Sequence, residues 1–325
     1  MKKIKFNAAA VQRMATLFIL IFIMAVLSII SDKYLTFDNL LNILRQESPL
    51  IIIASAATIL MISGGMDLSP AGVIALTSVV LAKLCVGGVP LWAASIISLL
   101  VGAASGLFSG ILVVVANVPP MIATLGTWYI TKGLAYVLSN SYAIVQGLPD
   151  NFSWISGYIG PIPLMVIIAT AIFAVFYVLL NKTLLGKYAY AIGGNSETSR
   201  LSGISVKRIQ CILYVLTGLM SSIAGVLTSS RINSGDPNLS TSGIEFEIIV
   251  AIILGGTSLL GGQGSLIGSL IGALILGNLS NGMNLLGIGT VYQFIVEGAV
   301  LIIAVVIDLI IKGNSVKLKR KHTGK

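Results

Sequence analysis

Charge is what this 325-residue chain has least of. Asp, Glu, Lys and Arg make up 10% of it, against 56% hydrophobic residues. A soluble domain carries about 25% charged residues, so a water-facing globular shell is excluded. Histidine and cysteine are nearly missing too: one His, His322, and two Cys, Cys85 and Cys211. Catalysis built on histidine and metal sites built from clustered ligands go with them, and the two cysteines show no redox spacing. No Gly-x-x-x-x-Gly-Lys-Ser/Thr phosphate loop occurs. The nearest approach, "LLGKY" at 184–188, has Asn181 at the first Gly position and Tyr188 after Lys187, so the chain does not bind ATP by that route. The short alternating segments of a β-barrel are missing as well.

What is present is apolar length. Uncharged runs cover 14–31, 48–66, 84–131, 151–181, 209–230 and 248–296. A membrane-crossing helix takes about 20 mostly apolar residues, and the two longest runs have room for two. The expected fold is all-α: a polytopic α-helical membrane protein, 1–325 forming a single transmembrane domain. About ten transmembrane helices are expected, near 14–31, 48–65, 68–86, 91–116, 120–138, 162–181, 209–230, 246–260, 265–285 and 290–311. Lys2, Lys3, Lys5 and Arg13 precede the first run, which ends at Asp32-Lys33 without a small-x-small cleavage site. It is expected to be a retained span, not a signal peptide.

Basic residues cluster at 2–13, at 182–208 and in the tail 312–325. Lys and Arg near span ends mark the cytoplasmic side. Both termini and the 182–208 loop are therefore placed inside, which requires an even number of spans. The net charge of +9 suits anionic inner-leaflet lipid and needs no nucleic acid.

The loop "GGNSETSRLSGISVKR", Gly193 to Arg208, holds Glu197, Arg200, Lys207 and Arg208 in sixteen positions. Gly193-Gly194 is expected to break a helix arriving from Tyr190. Asn195 is a good N-cap, Glu197 sits in the first turn where the helix dipole favours an acid, and Gly203 suits a C-cap. Leu201 and Ile204 could form a small apolar face. This describes a short surface helix with Glu197 and Arg200 three apart on one side. It is either a solvated connection that sets topology or a docking surface for a cytoplasmic partner.

Two stretches resemble each other: "GGMDL" at 64–68 and "GGTSL" at 255–259. Each stops a β-branched run with a Gly pair, Gly64-Gly65 and Gly255-Gly256. Interrupted helices in matching places of two halves point to a substrate path in transporters. Asp67 lies in the first break, where a carboxylate costs about 2.5–3.5 kcal/mol unless paired or wet; capping the next helix with Ser69 is its structural role, substrate contact its functional one. Asn117, Thr124, Thr127, Asn278, Asn281 and Asn284 are the neutral polar residues of the spans. With Asp67 and Ser69 they are the candidate translocation path, and they suit an uncharged polyhydroxylated solute better than an ion. Glu297 and Asp308 are the acids of the last span. The stripes Gly102-Gly106-Gly110 and Gly264-Gly268-Gly272 are expected to be helix–helix seams.

Five stretches then match a family in its own order: "GGMDLS" (64–69), "IATLGTWYITKGLAYVLS" (122–139), "LLGKYAYAIGGNSETSRLSGISV" (184–206), "AIILGGTSLLGGQGSLIGSLIGALILG" (251–277) and "NGMNLLGI" (281–288). The chain resembles the integral membrane permease subunits of ABC importers for monosaccharides, the ribose/galactose/xylose branch, and is most similar to ribose permeases. The resemblance implies a bacterial cytoplasmic (inner) membrane location and no catalysis by this chain. It implies a second permease subunit, identical or a sister chain, an extracytoplasmic sugar-binding protein, and a cytoplasmic ATP-binding subunit that carries ATP-Mg. Gly193, Gly194, Asn195, Glu197, Arg200, Leu201 and Gly203 would then form the element coupled to the ATPase. The alternative is an ion-coupled secondary transporter of a small polar solute, using Asp67, Glu245 or Glu297.

Overall fold

The computed structural model describes residues 8–289, 291–296, 298–300, 302–303 and 306. Glu297, Asp308, His322 and the basic tail lie outside the described residues. Helices dominate: α1 (Ala8–Ile30), α2 (Phe37–Ile62), α3 (Pro70–Val86), α4 (Leu91–Val114), α5 (Pro120–Ser139), α6 (Leu164–Lys182), α7 (Leu184–Gly194), α8 (Ser196–Leu201), α9 (Val206–Ile232), α10 (Ile244–Leu254) and α11 (Leu266–Leu285). Residues 291–296 and 298–300 are also helical. A small hairpin, β1 (Tyr158–Ile159) with β2 (Ile162–Pro163), precedes α6.

Helix α2 is the axis of the bundle. Every residue from Ser48 to Ile62 is buried, as a helix apolar on all sides requires. Around it stand α6, α9, α10 and α11. Helices α4 and α6 behave differently. They bury narrow stripes and leave Trp92, Ile96, Leu100, Val175 and Val178 exposed. Such faces are stable against lipid, not water. Among the described residues five helices, α2, α4, α6, α9 and α11, are long and apolar enough to cross a membrane, and shorter apolar helices accompany them.

The glycine stripes are seams. A Cβ on Gly102 would lie 2.3 Å from the Ser222 Cβ, one on Gly106 2.3 Å from the Tyr214 carbonyl oxygen, and one on Gly218 2.3 Å from the Gly102 oxygen. Helices α4 and α9 therefore touch backbone to backbone. In the same way a Cβ on Gly268 would meet the Gly255 oxygen at 1.9 Å and one on Gly272 the Ala251 oxygen at 2.0 Å, which locks α10 to α11.

Three element boundaries differ from the sequence expectation. Helix α2 begins at Phe37, not near 48, because Thr36 caps it by accepting the Asn39 N–H and its first turns carry Asp38, Arg45 and Glu47 at the end of the bundle. The span expected at 246–260 is instead the 11-residue α10, about 16 Å long and roughly half a hydrocarbon core. It stops because Gly255 is pressed against Gly268 and Gly256 takes a left-handed φ of 86°. The third concerns Gly193-Gly194, which do not break the incoming helix: both are its last residues, and Asn195 is the C-cap that follows.

Candidate functional site

The reason for Gly193 is contact. A Cβ there would lie 1.9 Å from the Ile62 carbonyl oxygen and 2.4 Å from the Gly262 nitrogen. Ile62 is the last residue of α2, and Gly262 belongs to the turn between α10 and α11. The Gly262 N–H itself donates to the Ile62 oxygen at 2.8 Å. A Cβ on Gly261 would lie 2.9 Å from the Gly64 nitrogen and 3.1 Å from the Gly193 Cα. The end of α7, the turn after α2 and the turn after α10 thus meet in one junction of bare backbone. Gly64, Gly261 and Gly262 all have φ between 74° and 84°, which only glycine adopts without strain.

Polar side chains fasten the same junction. Tyr190 of α7 donates its hydroxyl to the Gly264 carbonyl at 2.9 Å. From α9, the Gln210 amide donates to the Ser63 carbonyl at 3.2 Å and the Tyr214 hydroxyl to the Met66 carbonyl at 3.1 Å. Each carbonyl belongs to a turn with no helical donor of its own, so the bonds satisfy groups that a helix would have satisfied internally.

Beyond the junction lies α8, a six-residue exposed helix. Asn195 caps it by accepting the Thr198 N–H at 2.9 Å, and Gly203, φ 83°, ends it. Arg200 makes two hydrogen bonds to the Glu197 carboxylate, the shorter 2.6 Å. The Arg200 guanidinium holds the Glu197 carboxyl below its ordinary pKa by hydrogen bond and charge, and Glu197 raises Arg200 in return. Both side chains are about two-thirds exposed, so the pair adds little stability. Leu201 is 74% exposed, and Ser199 is buried. Lys182, Lys187, Lys207 and Arg208 are exposed around it. The helix presents an acid, a base and a leucine to its surroundings.

Asp67 is buried in the first turn segment. One carboxylate oxygen accepts from the Ser69 N–H at 2.8 Å and from the Ser69 hydroxyl at 2.7 Å. Ser69 is the N-cap residue of α3 and Pro70 its first residue, so Asp67 organises the entry to that helix. The other oxygen, Oδ2, is buried with no hydrogen-bond partner.

The remaining path candidates are not gathered around Asp67. Thr124 bonds to the Pro120 carbonyl within its own helix. Thr127 accepts from the Ser109 hydroxyl at 2.8 Å, a tie between α5 and α4. Asn278 accepts from the Tyr34 hydroxyl, and Asn281 exchanges amide hydrogen bonds with Asn39 at 3.0 and 2.9 Å. These two hold the start of α2 to α11. Asn117 is exposed with φ 55° between α4 and α5, and Asn284 is exposed and bonded to Gln293 at 2.7 Å.

The comparisons with known proteins agree with this architecture. Residues 39–305 match the family described as branched-chain amino acid transport system / permease component. The ribose import permease protein RbsC of Escherichia coli K12 is 39% identical over 93% of this chain and 95% of its own. The chain belongs to this permease family. RbsC of Bacillus subtilis 168 is 38% identical to the permease, covering 94% of the permease and 95% of that relative. The D-allose transport system permease protein AlsC of Escherichia coli K12 is 34% identical, over 92% of each chain. No solved structure matches the permease. Membership makes it a polytopic membrane transport subunit and not an enzyme.

Sequence reasoning missed the partners of Gly193. The signal for Gly261 and Gly262 was the "LGGQG" run itself, since two adjacent glycines outside a helix mark a left-handed turn. Gln210 and Tyr214 look like ordinary helix residues in sequence and carry no signal.

Proposed function

We propose that this permease is the membrane-spanning subunit of an ATP-driven importer and forms the translocation path for a monosaccharide of the ribose type. Its relatives, ribose import permeases and a D-allose transport permease, support a ribose-like sugar. The end of the bundle that carries α7 and α8 faces the cytoplasm because Lys182, Lys187, Arg200, Lys207 and Arg208 are exposed on and beside α8 in sequence, and the basic clusters at 2–13 and 312–325 put both termini on the same side. A cytoplasmic ATP-binding subunit, with ATP-Mg, docks on α8 through Glu197, Arg200 and Leu201, while Asn195 and Gly203 fix the helix ends. An extracytoplasmic binding protein delivers the sugar to the opposite face, and a second permease subunit, identical or a sister chain, completes the path.

The contact of Gly193 with Ile62 and Gly262 carries this reading. A force on α8 is transmitted through α7 to the turns after α2 and α10 together, and those turns end the central helix and the half-length helix. Asp67 and Ser69 move with the first turn. Gly64-Gly65 and Gly255-Gly256 act as its hinges.

The test is co-purification from detergent-solubilised membranes, wild type against a variant whose residues 195–202 are a Gly/Ser linker. An ATP-binding subunit should accompany wild type and be lost from the variant. Equal retention by both would remove α8 from the coupling role. A folded wild type with no ATP-binding partner would favour the ion-coupled transporter, to be tested at Asp67 and Glu245, each of which buries a carboxylate oxygen without a hydrogen-bond partner.

A further inference from the structure

At the end of the bundle opposite α8 lies a polar cavity of about 620 Å³. Its charged lining comes from three helices: Arg45 and Glu47 of α2, Arg231 in the last turn of α9 and Glu247 in the first turn of α10. Amides add to it: Asn42 and Gln46 of α2, Asn284 of α11 and Gln293 beyond it. In a bundle built of isoleucine, leucine and small residues, four charged and four amide side chains gather around this one cavity.

Three details distinguish it from a rim of solvated charges. Arg45 donates to the Tyr158 hydroxyl at 2.8 Å and its guanidinium stacks over that ring at 5.2 Å, yet its Nε is buried without a partner. An unspent buried donor costs about 1–3 kcal/mol. Glu47 reaches the cavity only because residue 277 is glycine: a Cβ there would lie 2.3 Å from the Glu47 Cγ and 2.8 Å from Oε1. Finally, the formal charges balance, two guanidinium groups against two carboxylates. An anion entering meets two acids and a cation meets two bases. A neutral solute with several hydroxyls can donate to the acids and accept from the arginines and amides together. The volume lies within the roughly 300–1,000 Å³ usual for small-molecule sites.

We propose that this cavity is a binding site for a neutral polyhydroxylated solute the size of a pentose or hexose, the admission site of the path. Its place on the extracytoplasmic side rests on the importer reading above; its ligand chemistry does not. Among its lining residues, Asn284 belongs to the path candidates found in the sequence, while Arg45, Glu47, Arg231 and Glu247 do not.

Two experiments separate the site from the mechanism. The first uses the permease alone in lipid nanodiscs, with Ser280→Cys or Asn42→Cys introduced after replacing Cys85 and Cys211 by serine. D-Ribose at twice its Kd should slow maleimide labelling about threefold, because about one-third of the sites then stay free; gluconate at equal concentration should not. Gly277→Ala, which displaces Glu47, should abolish the protection. No protection by ribose at either cysteine, or equal protection by gluconate, overturns the site. The second uses proteoliposomes with the ATP-binding subunit and saturating binding protein. Gln46→Ala and Asn284→Ala should lower ribose transported per ATP about 2- to 10-fold, and an unchanged ratio in both overturns the admission role. Wild type that shows ribose protection but no ATP-dependent uptake refutes the importer reading and leaves the site standing.

Discussion

Replacing Gly193 by alanine places a methyl carbon 1.9 Å from the Ile62 carbonyl oxygen and 2.4 Å from the Gly262 nitrogen. Ordinary contact begins near 3.4 Å, so α7 must retreat by about 1.5 Å from the two turns. Neither neighbour is the tip of a flexible side chain; both are backbone. Overpacking of this kind costs about 1–3 kcal/mol, and loss of the Gly262–Ile62 hydrogen bond about 0.5–1.5 kcal/mol more. Gly194→Ala is the control. It follows Gly193 in the same helical turn and would meet nothing within 4 Å. Both variants gain similar helix propensity, about 0.8–1.0 kcal/mol at most, so their difference isolates the packing term at about 1.5–4.5 kcal/mol. In detergent this corresponds to a Tm gap of roughly 2–7 °C. In proteoliposomes containing the full transporter, Gly193→Ala should hydrolyse ATP without proportionate uptake, and Gly194→Ala should remain coupled. Matching Tm and coupling in the two variants would refute the junction as the transmission point.

Arg200→Glu should weaken co-purification of the ATP-binding subunit while leaving the permease inserted, since it replaces an ion pair with two like charges three residues apart; undiminished association would exclude this face. The Glu197 carboxyl is held below its usual pKa, so the stability of the Glu197–Arg200 pair is complete above the ordinary carboxylate range and lost only as pH falls through the lowered value. Association measured between pH 6 and 8 should therefore be flat, and a midpoint in that window would point to another group. Asp67→Asn keeps an oxygen for Ser69 and removes the cost of a buried charge; thermal stability should hold while uptake falls, and parallel loss of both would reduce Asp67 to a cap. Thr127→Val should cost about 1–2 kcal/mol by leaving the buried Ser109 hydroxyl without its α5 partner, read as a lower Tm with unchanged coupling.

The relation between sequence and structure differs from element to element. The stripe Gly102-Gly106-Gly110 was legible as a seam because small residues every four positions have one use in an apolar helix, and α9 fills it. The cap of α8 was legible because Asn195 and Glu197 act within a single turn. The early start of α2 was not. Asp38, Arg45 and Glu47 read as loop in a hydropathy profile; the Thr36 cap starts the helix ahead of them, and only the fold shows that Arg45 and Glu47 line the polar cavity. Nor was the fate of Asn278 and Asn281 visible, since amides that suit a sugar suit Tyr34 and Asn39 equally well.

By itself the sequence determined the class of molecule: low charge, long apolar runs and five family-ordered motifs leave a helical membrane permease. It determined two of the local breaks as well: Gly64-Gly65 and Gly255-Gly256 follow the ends of α2 and α10, whereas Gly193-Gly194 stay within α7. Which breaks touch was decided by tertiary structure alone. Gly193, Ile62 and Gly262 are far apart in the chain, and their contact depends on bare backbone approaching to hydrogen-bond distance, a property of three elements packed together and of none separately. The same holds for the polar cavity. The charges of Arg45, Glu47, Arg231 and Glu247 come from three helices, and only the fold brings them to one face, where they balance.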